Sequence, residues 1–304
     1  MKYSTLFTSL ALFTLGCGSD DNGDSPSSGG VGVGVGGSTG VGVGVGQTAG
    51  SGGRSFVVPP DFTRGDLGGW KLGEPVVNDQ LPETGSGGCS NQITGIVRDF
   101  KGLPGGHPDF EMDLENFDGM EGLVRDELGA DGKPVYRPSG RTEYSSGPEA
   151  FASWYRSTPG TNLPFALTLF LVPEAGGKFS FESRAFFPLD DEGFGNQGED
   201  HNFHFTFELH TNFVYNGGER FQFIGDDDVF VFVNGRLAID LGGVHDEQSA
   251  ELDLDASAAE LGLQTGNSYP LDLFHAERQR SESNFRVDPT LRFTDCGESA
   301  PAPR

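Results

Sequence analysis

The sequence predicts an all-β fold, an antiparallel β-sandwich, and three observations lead to that prediction. Apolar and polar residues alternate in repeated segments, as in residues 201–209, where Phe203, Phe205 and Phe207 would share one face of a strand. Turn residues separate these segments, and helical spacing is confined to a short run at 255–263. Many short strands joined by turns are typical of a β-sandwich, and 26 phenylalanines can fill a large core.

The first residues of the chain predict export. Lys2 precedes an apolar run at residues 6–15, which is too short for a spanning helix and has the form of a signal peptide. The sequence TLGC at residues 14–17 resembles a bacterial lipobox, which implies a lipoprotein signal peptide over residues 1–16 and lipid on Cys17. Several acyl chains, at about 0.8 kcal/mol per buried CH₂, would hold the chain on a membrane. Ordinary secretory cleavage near the same residues is the alternative.

A low-complexity stretch follows the signal peptide. Residues 17–54 include two copies of GVGVGVG, in which glycine leaves little to pack and much entropy to lose on folding. We therefore predict a disordered Gly/Val-rich linker with a mean reach of roughly 35 Å. Residues 55–88 hold short apolar islands between Pro and Gly, and they are expected to form a partly ordered lead-in. The sandwich domain is placed at residues 89–296, with a flexible tail at 297–304.

The predicted domain is organised around residues 221–243, which read FQFIGDDDVFVFVNGRLAIDLGG. Alternation at the start of this stretch predicts a strand that ends at Gly225. Residues 229–233 are apolar on both faces, as expected for a strand in the middle of a sandwich. Asn234-Gly235 favours a type I′ hairpin turn, which needs positive φ at both central positions, and a return strand is predicted at 236–241.

Three carboxylates, Asp226, Asp227 and Asp228, stand between the first two of these strands. Like charges at such short separation repel each other, and an adjacent apolar strand lowers the local dielectric. A bound cation would remove that repulsion, and oxygen ligands on a crowded loop favour Ca²⁺. The alternative is a solvated acidic turn whose carboxylates accept hydrogen bonds from backbone N–H groups.

The same stretch resembles a known family. GDDDVFVFVNG at 225–235, followed by DLGGVH at 240–245, is similar to the signature of the bacterial fibro-slime domain. That domain is related to the protective-antigen-type β-sandwich of flocculin-like lectins and adhesins. Further segments resemble the same family, and together the resemblance runs from about Gly88 to Cys296: IVRDF at 96–100, HPDFE at 107–111, WY at 154–155, FFPLD at 186–190, HNFHFT at 201–206, YPLDLFHAER at 269–278 and SNF at 283–285.

The resemblance implies a set of metal ligands. In the lectin relatives, two adjacent aspartates joined by a cis peptide hold Ca²⁺, and the ion coordinates sugar hydroxyls. The common pattern places this pair on Asp226 and Asp227, while Asp228 stands where relatives often carry glycine; Asp227 belongs to the pair in either register. Lectin relatives take a third ligand, an asparagine, from a later loop, which corresponds here to Asn284. The alternative for Asn284 is an ordinary turn residue.

Two cysteines bracket the region of resemblance. Cys89 and Cys296 lie almost at its ends, and the exported compartment predicted above permits a disulfide between them. In the chain-entropy model such a long loop closure stabilises the domain by about 4–5 kcal/mol. The alternative is a pair of free thiols.

Other residues were considered as ligand contacts. His245 follows the acidic hairpin and would either touch a ligand or fix the loop after the return strand. Trp154 and Tyr155 would either stack on a sugar ring or send one ring into the core. His201 and His204 are three residues apart, so on a strand they would point to opposite faces and could not share a zinc ion. The acidic loop at 190–200 (DDEG…GED) is either a second Ca²⁺ site or a solvated connection.

The composition and motifs of the sequence exclude several classes of function. The net charge of −25 excludes a basic nucleic-acid surface, and no nucleophile elbow, phosphate loop or HExxH motif occurs.

The favoured prediction is a lipid-anchored, Ca²⁺-dependent carbohydrate-binding module that acts in adhesion and is not an enzyme. Its partner is a cell-surface or extracellular glycan, and it contacts the membrane only through the lipid. The predicted location is a bacterial cell surface, as an outer-membrane lipoprotein, or else secretion. The alternatives are a structural matrix protein that uses Ca²⁺ to stiffen loops and a polysaccharide-active enzyme.

Overall fold

A computed structural model describes residues 67–81, 91–175 and 178–297. Every described residue belongs to one unit of the chain, Arg54–Arg304. The predicted signal peptide, the linker, most of the lead-in and nearly all of the tail therefore lie outside the described residues, as do Cys17 and Cys89.

The described part of the chain contains thirteen strands and two short helices. In chain order they are β1 (Gly69–Pro75), β2 (Gln92–Phe100), α1 (Pro148–Phe151), β3 (Asn162–Phe170), β4 (Val172–Pro173), β5 (Phe179–Ser183), β6 (Phe205–Val214), β7 (Arg220–Gly225), β8 (Asp228–Val233), β9 (Arg236–Leu241), β10 (Gln248–Asp253), α2 (Leu254–Leu261), β11 (Ser268–Glu277), β12 (Phe285–Pro289) and β13 (Arg292–Phe293).

The strands form two antiparallel sheets, which confirms the predicted all-β sandwich. The larger sheet has the order β1-β3-β2-β6-β11-β8-β9, with β13 paired to β6. The smaller sheet has the order β10-β7-β12-β5-β4. Consecutive strands β7 and β8 lie in different sheets, and so do β11 and β12, so the chain crosses from one sheet to the other at each of these two points.

The main core lies between the sheets and follows the predicted alternation. Phe205, Phe207 and Phe213 of β6 are fully buried there, opposite Phe223 of β7 and Phe285 of β12. Burying each aromatic side chain contributes about 1.5–3 kcal/mol relative to its exposed state. The period of two in the sequence therefore corresponds to the inward face of each sheet.

A second core covers the outer face of the larger sheet. Phe230 and Phe232 of β8 point away from the first core and pack with Phe110, Phe151 and other residues of the long segment 101–161 between β2 and β3. This cover explains why β8 is apolar on both faces. The Asn234-Gly235 turn after β8 has positive φ at both residues, 53° and 72°, as the hairpin prediction requires.

Two element boundaries differ from the predictions. Strand β6 begins at Phe205 rather than at 201, because the Asn202 side chain accepts from the His204 N–H and donates to Asp99, which forms a turn. The helix predicted at 255–263 is present at Leu254–Leu261. Asp253 caps its N-terminus, and Gly262, with φ of 70°, ends it.

Neither described helix is long and apolar enough to cross a membrane.

Candidate functional site

The acidic turn lies at one end of the sandwich, where the crossing after β7 meets the crossing after β11. Gly225 at the end of β7 pairs with Phe285 of β12, and Asp228 at the start of β8 pairs with Ala276 of β11. The turn between β7 and β8 is therefore held beside the connection between β11 and β12. The peptide bond between Asp226 and Asp227 is cis.

Asp226 accepts hydrogen bonds from Asn284. The sequence resemblance implied that these two residues lie at the same site. The backbone N–H of Asn284 donates to Asp226 Oδ1 at 2.7 Å, and its side-chain amide donates to Oδ2 at 2.7 Å. Asp226 is nearly buried, with 5% of the residue exposed. The structure thus brings two of the predicted ligand residues into direct contact.

Asp227 is surrounded by backbone donors. Its Oδ2 accepts from the N–H groups of Arg278 at 3.0 Å and Gln279 at 3.1 Å, and its Oδ1 accepts from the N–H of His245 at 3.2 Å. This one carboxylate, which is 4% exposed, therefore connects the turn to the loop after β9 and to the loop after β11. Such multiple donation favours the ionised form of the carboxylate.

Asp228 has a different role from the one predicted, and the ligand set is corrected accordingly. Its Oδ2 lies 2.7 Å from Nε and 2.6 Å from Nη2 of Arg278, and its Oδ1 accepts from the Gly243 N–H at 2.6 Å. Both side chains are fully buried. Because both oxygens are engaged in the interior, Asp228 does not face the same cavity as Asp226 and Asp227.

The electrostatics of the pair depend on burial. Burial raises the pKa of Asp226 above its ordinary value. Burial also raises the pKa of Asp227 well above its usual range, against the opposing effect of Arg278 and with a further contribution from the charge of Asp228. Glu277, at the end of β11, is buried nearby. Burial raises its pKa strongly too, and the charges of Asp227 and Asp226 add to the shift. The buried carboxylates around this turn, including that of Asp228, therefore outnumber the one buried guanidinium, that of Arg278.

The donors at this site suit a hard cation. The oxygens of Asp226 and Asp227 and the amide oxygen of Asn284 are of the type that Ca²⁺ prefers. Glu277 Oε2 is buried without a hydrogen-bond partner. Within residues 67–81, 91–175 and 178–297, no group of three or more His, Cys, Asp or Glu side chains is arranged to hold a metal. A cation here would thus be held by two carboxylates together with amide and backbone oxygens.

A cavity of about 500 Å³ opens over Asp226 and Asp227. It is large enough for a sugar-sized ligand. Polar and charged side chains dominate its wall, with one aromatic ring among them: the lining residues are Phe117, Asp226, Asp227, His245, Asp246, Glu247, Gln279, Arg280, Ser281 and Glu282.

His245 lines this cavity but has structural contacts. Its Nδ1 lies 2.8 Å from the carbonyl of Asp246, its Nε2 lies 3.3 Å from the carbonyl of Leu241, and its ring is nearly buried. Its backbone also pairs with Asp118. These contacts favour the second of the two predicted roles, in which His245 fixes the loop after β9.

Trp154 and Tyr155 do not contact any ligand-accessible surface, so their prediction as sugar-stacking residues is wrong. Both residues belong to segment 101–161, and their rings are fully buried in the second core, where this segment packs on the larger sheet. Trp154 Nε1 donates to Asp109 at 3.0 Å, and the Arg278 guanidinium lies 4.5 Å from the centre of the indole. The sequence interpretation placed one ring of the pair in the core, whereas the outer cover of the sheet buries both.

His201 and His204, which were weighed as zinc ligands, and the neighbouring His210 each have a separate partner. His201 contacts Asp190 at 2.7 Å, His210 contacts Asp272 at 2.7 Å, and His204 lies 3.5 Å from Glu111. Asp190 in the acidic loop is engaged with His201 and with the Asn202 N–H, in agreement with a solvated connection.

Cys296 is disulfide-bonded. Its carbonyl accepts from the Thr94 N–H at 2.7 Å, which places Cys296 beside the first residues of β2. Cys89 precedes β2 in the sequence but lies outside the described residues, so the pairing of Cys89 with Cys296 stays a prediction.

The sequence interpretation missed two residues at this site. Arg278 was noted only as the last residue of a family-like segment, because its partner Asp228 is fifty residues away in the sequence and no local pattern connects them. Phe117 lies in segment 101–161, in a stretch without strand or helix periodicity, and carried no signal.

Comparison with known proteins gives a family for part of the chain. Residues 188–303 match the family model of the PA14 domain, which confirms the predicted relationship to the protective-antigen-type sandwich. The chain is 39% identical over 201 residues to protein psiD of Dictyostelium discoideum, covering 61% of this chain and 39% of psiD. It spans less than half the length of the curated relatives it matches. These relatives are Dictyostelium psi proteins rather than bacterial fibro-slime lipoproteins.

Two of the solved structures to which this chain is similar are also PA14 domains. The PA14 domain of the MpAFP antifreeze protein has a TM-score of 0.29 and 9% identity, covering 75% of this chain and 99% of that one. A PA14 sugar-binding domain from an RTX adhesin has a TM-score of 0.27 and 8% identity, covering 69% of this chain and 99% of that one. Each TM-score is below 0.5, so these likenesses carry no argument about ligands.

Proposed function

We propose that this protein is a Ca²⁺-dependent carbohydrate-binding module that acts in adhesion. The observation that carries the proposal is that Asp226 and Asp227 line an open cavity while Asn284 contacts the carboxylate of Asp226. This arrangement lies inside residues 188–303, the region that matches the PA14 domain.

The cation is part of the proposal because the buried pair needs one. Asp226 and Asp227 are adjacent, nearly buried and raised in pKa, so a Ca²⁺ ion between them would stabilise their ionised forms. The Asn284 amide oxygen would complete the protein ligands without adding charge. When bound, such an ion supplies open coordination positions for vicinal sugar hydroxyls. Backbone N–H groups from Arg278, Gln279 and His245 orient Asp227 independently of the ion.

A glycan array with and without chelator tests this proposal. Wild-type protein should bind a subset of neutral saccharides in Ca²⁺ and lose that binding in chelator. Asp227→Asn removes one charged ligand while nearly conserving shape, so it should abolish Ca²⁺-dependent binding without unfolding the domain. The matched control is Asp191→Asn, which removes the same charge from an exposed position with positive φ that Asn tolerates. Equal binding by wild type and Asp227→Asn would overturn the proposal.

A specific observation favours a second candidate, a structural role for Ca²⁺. Asp227 already connects three segments of backbone, so an ion at its carboxylate would stiffen the loops around it. In that case Ca²⁺ would raise the melting temperature while no saccharide on the array bound. Measurable release of reducing sugar from polysaccharide would instead favour an enzyme.

The location is also part of the proposal. Lipid on Cys17 would place the module on a cell surface, as an outer-membrane lipoprotein if the source is bacterial, with secretion as the alternative. The support for it is the lipobox-like sequence at residues 14–17.

A further inference from the structure

Phe117 is exposed in a protein whose phenylalanines are otherwise mostly buried. Its side chain is 48% exposed, and among the residues the structure describes only Val77 and Leu103 are other large hydrophobic side chains of this kind. An exposed apolar residue on its own needs no explanation. Phe117, unlike the other two, lies in the wall of the cavity above Asp226 and Asp227.

The backbone around Phe117 is held in place by the loop that also supports Asp227. Asp118 pairs with His245, whose N–H donates to Asp227. Next along the chain, the Gly119 N–H donates to the Val244 carbonyl at 3.2 Å, and the Met120 N–H donates to the Gly242 carbonyl at 2.5 Å.

The residue before Phe117 is held as well. The Asn116 side-chain oxygen accepts from the Asp118 N–H at 3.2 Å and from the Tyr144 hydroxyl, and its amide donates to Glu143 at 2.7 Å. Phe117 is therefore an exposed ring between two fixed residues, which limits the conformational entropy that a contact with a ligand would cost.

The cavity combines one apolar surface with hydrogen-bonding and acidic groups. Phe117 is its aromatic residue, Gln279 and Ser281 are neutral polar residues, and the carboxylates of Asp246, Glu247 and Glu282 outnumber the one guanidinium of Arg280. An anionic ligand would be repelled by this wall. A flat apolar ligand would leave the polar groups without partners. The wall suits a neutral molecule with one apolar face and several hydroxyls.

We propose that Phe117 is a specificity-determining residue that packs against the apolar C–H face of a neutral pyranose ring while the hydroxyls of that ring reach the cation at Asp226 and Asp227. This inference rests on the proposed function and adds the class of saccharide and the residue that selects it. Aromatic rings in otherwise polar pockets contribute most of the apolar contact area.

The experiment compares Phe117→Ala, Phe117→Trp and the control Leu103→Ala in the full exported protein. The probes are Ca²⁺ alone, measured by calorimetry, and immobilised neutral and sialylated oligosaccharides in the presence of Ca²⁺. Phe117→Ala should weaken binding of the neutral saccharides at least tenfold and leave the Ca²⁺ affinity and melting temperature unchanged. Phe117→Trp should keep binding, and its emission should shift when the neutral saccharide is added, because Trp70 and Trp154 are buried. Leu103→Ala should behave as wild type.

The outcomes separate this inference from the function on which it rests. Loss of saccharide binding in Asp227→Asn but not in Phe117→Ala would overturn the role of Phe117 and leave the Ca²⁺-dependent module intact. Preferential binding of sialylated saccharides would also overturn it. If the wild type binds no saccharide at all, the proposed function and this inference both fail.

Discussion

Arg278 is expected to be the most sensitive single position beneath the site. It follows β11 directly, and its guanidinium is fully buried. Nε and Nη2 contact Asp228, while Nη1 donates to the carbonyls of Asp109 at 3.0 Å and Tyr144 at 2.9 Å. Burial lowers the pKa of this guanidinium, but the charges of Asp228 and Asp227 more than offset that effect, and Arg278 stays charged.

Arg278→Met removes the partner of a fully buried carboxylate. Breaking a buried ion pair on one side costs about 3–5 kcal/mol, because the remaining charge is left in the interior. Two backbone carbonyls also lose their donor, which makes the upper end of that range the better expectation. A loss of about 4–5 kcal/mol would be a large part of the stability of an ordinary domain. Arg278→Lys should retain part of it, because lysine keeps the charge but not the planar fork.

The matched control is Arg280→Met, two residues further along. Arg280 also pairs with carboxylates, Glu111 and Glu199, but its side chain is 58% exposed. Exposed ion pairs contribute about 0–1 kcal/mol, so this variant should unfold close to wild type. Urea unfolding followed by circular dichroism measures both variants under one set of conditions.

A double-mutant cycle identifies the cause. If the uncompensated charge of Asp228 dominates, Asp228→Asn should restore part of the stability that Arg278→Met loses, since Asn can still accept from the Gly243 N–H. The reasoning is refuted if Arg278→Met unfolds within 1 kcal/mol of Arg280→Met, or if the two substitutions at 278 and 228 are simply additive.

Three further predictions concern the cation, the anchor and the disulfide. Ca²⁺ at a hundredfold excess over its Kd should stabilise the folded protein by about 2.7 kcal/mol, and the corresponding rise in melting temperature should vanish in Asp227→Asn; an equal rise in both would exclude the acidic turn as the site. Cys17→Ser should move the protein from the membrane fraction to the soluble exported fraction, whereas unchanged fractionation would contradict lipidation. Non-reducing mass spectrometry should find a peptide joining Cys89 to Cys296, and quantitative alkylation of both thiols without reduction would count against it.

The sequence predicted local features well where the signal is itself local. Alternation and the Asn234-Gly235 turn placed β7, β8 and β9 within a residue or two, because strand period and turn conformation depend on near neighbours. The burial of both Trp154 and Tyr155 was not predicted, because it depends on how segment 101–161 folds over the larger sheet. That packing has no period in the sequence.

The role of Asp228 shows why ligand sets are hard to read from spacing. Three consecutive aspartates look equivalent in the sequence, yet only Asp226 and Asp227 line the cavity. What separates Asp228 from them is Arg278, which lies far along the chain and reaches it only through the pairing of β8 with β11. The buried ion pair gives a physical reason for a carboxylate at position 228.

The position of the site follows from the topology of the sandwich. A chain that crosses between two packed sheets leaves loop backbone at the edge, and here the crossings after β7 and after β11 are brought side by side by strand pairing in both sheets. The first crossing presents Asp226 and Asp227, and the second presents Asn284 and the N–H groups that orient Asp227. The fully buried Asp228–Arg278 ion pair connects the same two crossings on the interior side of the site. A buried pair is weak evidence for net stability, so its contribution here is geometric: it fixes the spacing between the loops that carry the proposed ligands.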